Sequence, residues 1–168
     1  MKNSSQFALT AALMAVASVF SGGALAAAAT GTANATVIAP MTITAGTALN
    51  FGAFAPTATA GSISVSNASA RTSSNVVVVS SSTTTAGTFT ASGDTTRTFG
   101  ITYPGTFSVA SGVNTMSGTM TSAGNGNSGT GTLVAGSATV SVGATLAVGA
   151  NQIAGAYTGT YSLSVDYN

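Results

Sequence analysis

The stretch ANATVIAPMTITA, residues 33–45, carries an apolar side chain at every odd position: Ala33, Ala35, Val37, Ala39, Met41, Ile43 and Ala45. Its even positions are Asn34, Thr36, Thr42 and Thr44, with Ile38 and Pro40 as the exceptions. A period of two residues is that of a strand with one buried face, and it cannot serve an amphipathic helix. The stretch is longer than an ordinary strand of about five or six residues. Pro40 has no N–H to give to a ladder, so the strand is expected at a sheet edge or bent there. The same pattern returns in GAYTGTYSLSVDYN, residues 155–168. There Tyr157, Gly159, Tyr161, Leu163, Val165 and Tyr167 alternate with Thr, Ser, Asp and Asn. No turn or helix signal follows, and a long strand with an apolar face at a sheet edge invites pairing with another chain.

Between these two stretches, short strand candidates are separated by Gly, Ser, Thr and Pro. They are TALNFGAF (47–54), GSISVS (61–66), NVVVVS (75–80), GTFTAS (87–92), RTFGITY (97–103), TFSVA (106–110), TMSGTMT (115–121), SATVSV (137–142) and ATLAVG (144–149). Regular short strands between turn residues read as a β-sandwich or barrel. NVVVVS, apolar on both faces, is expected as a central buried strand. SAGNGNSGTG, residues 122–131, has no Lys and opens no helix, so it reads as an inter-strand loop and not a phosphate cradle.

Charge narrows the function classes. Only 3% of residues are charged, against about 25% in ordinary soluble domains. The cations are Lys2, Arg71 and Arg97, the anions are Asp94 and Asp166, and His is absent. Two arginines beyond the N-terminal segment cannot form the basic patch that nucleic acid requires. Cysteine is absent, which excludes disulfides and zinc–thiolate sites. A transmembrane β-barrel would also alternate, but 7% aromatics without Trp is thin for its aromatic girdles.

Residues 1–26 have the layout of a secretory signal peptide: Lys2, an apolar run from Phe7 to Phe20, and a small-x-small site at Ala24-Leu25-Ala26. Cleavage there predicts an exported chain with a flexible lead at 27–32, the alternating strand at 33–45 and a β-sandwich body at 46–168. Catalysis finds little to work with. Acid–base chemistry at neutral pH needs His or a tuned carboxylate pair, and the abundant serines have no base to activate them. An oxygen cage for calcium wants several carboxylates. The chain therefore reads as a non-enzyme with no cofactor, no metal and no small-molecule substrate. Asp94, in the turn sequence SGDTTR, is expected to bond the local backbone. Arg71 and Arg97 read as edge or rim residues.

The two terminal stretches explain each other if the sandwich lacks a strand and residues 33–45 of a neighbour supply it, through a main-chain ladder and alternate side chains in a groove. Burying Val37, Met41 and Ile43 at about 1.5–3 kcal/mol each would contribute roughly 5–9 kcal/mol. At this point the chain resembles the chaperone–usher pilins, with Gly155 fourteenth from the C-terminus and Tyr167 penultimate. The stretches ATVIAPMTIT, ALNFGAFAP, ATVSVGATLAVGANQ and GAYTGTYSLSVDYN resemble secreted bacterial proteins grouped as domain of unknown function 4402. That group is itself similar to the archaic pilins related to spore coat protein U. A departure is the missing disulfide, which many pilins carry near the first strands.

The resemblance implies an immunoglobulin-like antiparallel β-sandwich, incomplete and finished by a donor strand. It implies a surface fibre subunit assembled as a homopolymer, with a periplasmic chaperone and an outer-membrane usher as further partners. Ala35, Val37, Ala39, Met41 and Ile43 would be the donor face. Gly155, Tyr157, Gly159, Tyr161, Leu163, Val165 and Tyr167 would be the strand that chaperone and donor hold in turn. Two rivals stand beside it: a self-complemented secreted domain in which 33–45 is an ordinary first strand, and an adhesin whose Thr/Asn-rich loops grip a ligand.

Overall fold

A computed structural model describes residues 26–124 and 129–168, with the side chains of 122–124 excepted. Residues 1–25, where the signal peptide is expected, lie outside the described residues, as does the middle of the Gly/Asn/Ser loop, 125–128. Two units are distinguished, Met1–Thr36 and Val37–Asn168. In the first, residues 26–36 form no strand and are exposed.

The second unit is an all-β, antiparallel sandwich, with no helix among the described residues. Its strands are β1 (Thr42–Ala45), β2 (Phe54–Pro56), β3 (Gly61–Val65), β4 (Arg71–Ser74), β5 (Val76–Val78) and β6 (Gly87–Ser92). They continue with β7 (Thr98–Thr102), β8 (Thr106–Ser111), β9 (Asn114–Gly124), β10 (Thr130–Thr132), β11 (Ser137–Val148) and β12 (Ser164–Tyr167). The main sheet runs β1-β6-β11-β3-β4, with β9 also on β11 and β8 on β9. A three-stranded sheet β10-β7-β12 and a two-stranded sheet β2-β5 complete the fold.

Strand β11 is the axis. It pairs β6 through Ser137–Val142, β3 through Ala144–Val148 and β9 through Ser141–Leu146. Its even positions Ala138, Val140, Val142, Ala144, Leu146 and Val148 are buried, the alternation expected of a strand with one core face. Sequence reading splits this strand at Gly143, but Gly143 is not a turn. A Cβ there would lie 2.5 Å from the Val65 carbonyl oxygen and 2.8 Å from the Asn67 amide. Glycine is needed because the end of β3 passes against the β11 backbone.

The valine run falls elsewhere than expected. NVVVVS is not a central strand: only Val76–Val78 is regular, it pairs β2 alone, and Val77 is 61% exposed. Four valines supply β-propensity but no alternation, so nothing in them selects a buried position with neighbours on both edges. The 122–131 loop is shorter than expected, since β9 reaches Gly124 and β10 begins at Thr130.

Two core clusters fill the sandwich. One joins Ala91, Met120, Val140 and Val142 of the main sheet to Phe99, Ile101, Leu133 and Leu163. The other holds Ile63, Val109, Met116, Leu146 and Val148, with Phe51, Phe54, Phe107 and Tyr157 half-buried around it. Two phenylalanines cover cross-strand glycines: Phe107 lies opposite Gly118 and Phe99 opposite Gly131. The ring in each pair occupies the space a second side chain would need. On the outer face, rows of hydroxyls cross the sheet in register, Thr42–Ser92–Ser137 and Thr44–Thr90–Thr139.

Replacing Gly143 by alanine drives a methyl group against backbone that cannot yield. We expect Gly143→Ala to lower stability by about 1–3 kcal/mol, read as a fall in the urea midpoint at unchanged slope. An unchanged midpoint would mean that β3 does not approach β11 as described.

Candidate functional site

The alternation at the C-terminal stretch is realised in the fold. Tyr157, Tyr161, Val165 and Tyr167 are half-buried and Leu163 is buried, whereas Thr158, Thr160, Ser162, Ser164 and Asp166 are exposed. Regular ladder covers only Ser164–Tyr167, which pairs β7. Upstream, a single bridge ties Thr158 to Ala110 of β8, with bonds of 3.0 and 2.8 Å. Gly155 and Gly159 sit where the segment crosses β8, since a Cβ on Gly159 would fall onto the Ser108 carbonyl oxygen and one on Gly155 would meet Ser111 Oγ. Gly159 must be glycine for that approach, because the atom it meets is backbone.

The second wall comes from residues 46–56, whose LNFG stretch the sequence reading identified as a strand without assigning it a partner. Its outer edge is bonded: the Gly46 amide to Thr88 O (2.8 Å), and Asn50 with Thr85 in both directions (2.9 and 3.1 Å). Beyond these, Ala53 O accepts from the Val79 amide (3.0 Å), and β2 pairs β5. Gly52, at φ 74°, is the point where the wall turns, a backbone region costly to other residues.

Between the walls lies an apolar groove of about 640 Å³. Leu49, Phe51 and Phe54 line one side, Ile153, Tyr157 and Tyr161 the other, and Phe107, Val109, Met116 and Leu146 the floor. The walls run antiparallel. Tyr167 reaches Ala39 at one end, Tyr161 and Leu49 meet above Gly87 in the middle, and the Asn151 amide bonds Thr57 O (2.8 Å) at the other end. Among the described residues, no backbone hydrogen bond joins residues 48–56 to residues 152–161. Each wall thus bonds a neighbour on one edge and faces the groove with the other. A strand laid along such edges could bond both at once while its side chains cover the floor.

Arg71, expected at a rim, has a second duty. It stands on the edge strand β4, yet its guanidinium donates to Val79 O (2.9 Å), Ser82 Oγ (3.0 Å) and Phe51 O (3.4 Å). Ser82 Oγ in turn accepts from the Ala53 amide (2.9 Å) and donates to Val79 O (2.7 Å). The guanidinium therefore fastens the 51–53 wall from behind. The sequence holds no local signal for this, because the partners lie up to 20 residues away. Asp94 behaves as expected, accepting from the Thr95 amide (3.1 Å), and it also pairs with Arg97 at 3.2 Å.

The N-terminal alternation is divided. Met41 and Ile43 pack against the first core cluster, and β1 pairs β6 of the same chain. Upstream of Pro40 the phase changes, with Val37 95% exposed and Ile38 half-buried. Ala33, Ala35 and Ala39 are exposed as well. Of the proposed donor face, then, Met41 and Ile43 are occupied at home, and Ala35, Val37 and Ala39 are uncovered.

Tyr161 stands between the walls, its ring 5.9 Å from both Phe89 and Phe107. Burial removes water from its phenol and raises its pKa above the usual tyrosine value. A raised folded pKa adds stability that is complete below the unfolded pKa of about 10 and is lost as pH rises through the folded value.

A family model described as a domain of unknown function (DUF4402) matches residues 41–167, and the chain belongs to that family. No curated protein and no solved structure matches the chain.

Two outcomes follow from this geometry. Arg71→Met keeps the apolar stem and loses the charged bonds, and should cost about 1.5–3 kcal/mol, measured by urea unfolding. An equal midpoint would show that the wall stands without it. In an alkaline titration followed at 295 nm, Tyr161→Phe should remove a phenol that ionises above pH about 10, and the variant should lose less stability than wild type over that range. A variant that loses as much would place Tyr161 in water.

Proposed function

We propose that this protein is an exported structural subunit that polymerises into a surface fibre, each copy laying the N-terminal segment of one chain into the groove of the next. The observation that carries the reading is the groove itself. Two antiparallel walls each use one backbone edge, and the floor between them belongs to an apolar core cluster. The donor is the exposed part of the alternating stretch, Ala33, Ala35 and Val37, and the chain continues upstream in small residues as AAATGT, 27–32. Fully extended, residues 48–56 would span at most roughly 30 Å at about 3.3 Å per residue, so about nine donor residues is the upper bound for the groove.

The magnitudes shape the mechanism. With Met41 and Ile43 retained by their own subunit, Val37 is the one large donor side chain, at about 1.5–3 kcal/mol. The main-chain ladder, at a net of about 1 kcal/mol per bond, then supplies most of the attraction. Ordering the donor backbone costs about 1–2 kcal/mol per residue, so the exchange is finely balanced. A subunit with an uncovered groove benefits from an escort, and by family resemblance that escort is a periplasmic chaperone acting with an outer-membrane usher. Tyr157 and Tyr161 in the groove wall are the side chains it would cover.

The second reading, a self-contained secreted domain, is favoured by one observation: β1 pairs β6 within the chain. Light scattering on the mature protein, beside a form lacking residues 27–38, separates the two. Strand donation predicts polymers from the full chain, monomers from the shortened one, and capture of a synthetic 27–38 peptide by the shortened form. A full chain that stays monomeric at all concentrations, with no capture of the peptide, would refute the fibre.

A further inference from the structure

The hydroxyl of Tyr167 stands at the boundary between the retained and the uncovered parts of the N-terminal stretch. It donates to the Ala39 carbonyl oxygen at 2.9 Å and accepts from the Asp94 amide, using its single proton and one lone pair. Room for it is made by Gly93, where a Cβ would collide with the Tyr167 oxygen. The turn that presents the Asp94 amide is itself braced by the Asp94–Arg97 pair at 3.2 Å. Next in the chain come Pro40, which offers no N–H, and then Met41 and β1. The family match also begins at residue 41, just past this contact.

We infer that Tyr167 is a positioning residue, a clasp that holds residues 39–45 on their own subunit and leaves only the chain upstream of Ala39 free for donation. The inference rests on the strand-donation reading for its purpose, though not for its geometry. The clasp matters because a competing arrangement exists. If the chain reversed near Gly46, residues 37–45 could lie antiparallel to 48–56 and fill the subunit's own groove with Val37, Met41 and Ile43. Three large side chains would then enter where a neighbour offers one. The short strand β1 has four residues, and a ladder of that length at a sheet edge opens readily. A bond from the last strand to Ala39 closes the end at which such peeling would begin.

The test is hydrogen exchange on the mature full chain, its Tyr167→Phe variant and its Tyr161→Phe variant, compared in matched assembly states confirmed by light scattering. Tyr161→Phe is the control, because it removes a hydroxyl nearby that makes no hydrogen bond among the described residues. Losing the Ala39 contact should speed exchange at Thr42–Ala45 roughly five- to ten-fold, as expected for about one net hydrogen bond. Amides of Val140 and Val142 in β11 should keep their protection, and Tyr161→Phe should leave both regions as in wild type. Unchanged β1 exchange in Tyr167→Phe would overturn the clasp. So would acceleration spread evenly over β1 and β11, which would make Tyr167 a general structural residue. None of these readings requires polymerisation, so a chain that never donates a strand can still show the clasp. A chain that polymerises with β1 unaffected would sink the clasp alone.

Discussion

Everything in this fold hangs on the backbone ladder of β11. A chain without disulfides and with few charges is held chiefly by burial and main-chain hydrogen bonds. The twelve residues of β11 collect both. They bury one face from Ala138 to Val148 and pass the ladder from β6 to β3 while keeping β9. Gly143 makes that transfer possible, since any side chain there would separate β3 from its partner. The two core clusters lie over the two halves of this strand, one closed by Phe99, Leu133 and Leu163, the other covered less completely.

That difference between the halves produces the site. Over the first half, β12 and β7 complete the second layer. Over the second half, the layer consists of the segment around Phe51 and the segment around Tyr157, each bonded to a neighbour on its far side. A closed sandwich would have a strand there. Under the proposed strand donation, the retained Met41 and Ile43 alter the energetics: the donor would be a narrow strand of alanines with one valine, and aromatic side chains of the groove would supply the bulk. Small side chains let two backbones approach closely, which suits recognition carried by a ladder more than by knobs.

Much of this was legible in the sequence, and the misses have physical causes. GTFTAS matched β6 residue for residue, and the C-terminal alternation placed Leu163, Val165 and Tyr167 inward, because a strict period of two fixes which face is buried. NVVVVS misled because uniform valine carries propensity without phase. Strands β4, RTSS, and β10, TGT, have almost no apolar residues and exist only because neighbours offer an edge to pair. The groove's second wall was read as a strand, TALNFGAF, but only the Asn50 bridge and Phe54–Pro56 are regular there, and its unbonded edge was not legible, since edge occupancy is a property of the tertiary fold. Pro40 signalled a bend, and the phase change between Ile38 and Met41 is its consequence.

The rows of threonine and serine on the outer sheet face have an effect on how copies of this protein meet. Most soluble proteins keep apart by electrostatic repulsion, which salt and pH both tune. Here the exposed face offers hydroxyls in register, and the Asp94–Arg97 pair cancels its own field. With almost nothing to screen or titrate near neutrality, stripping water from those hydroxyls would be the main barrier to sideways contact. Lateral spacing between copies should then answer to dehydration, by drying or by excluded osmolytes, far more than to ionic strength.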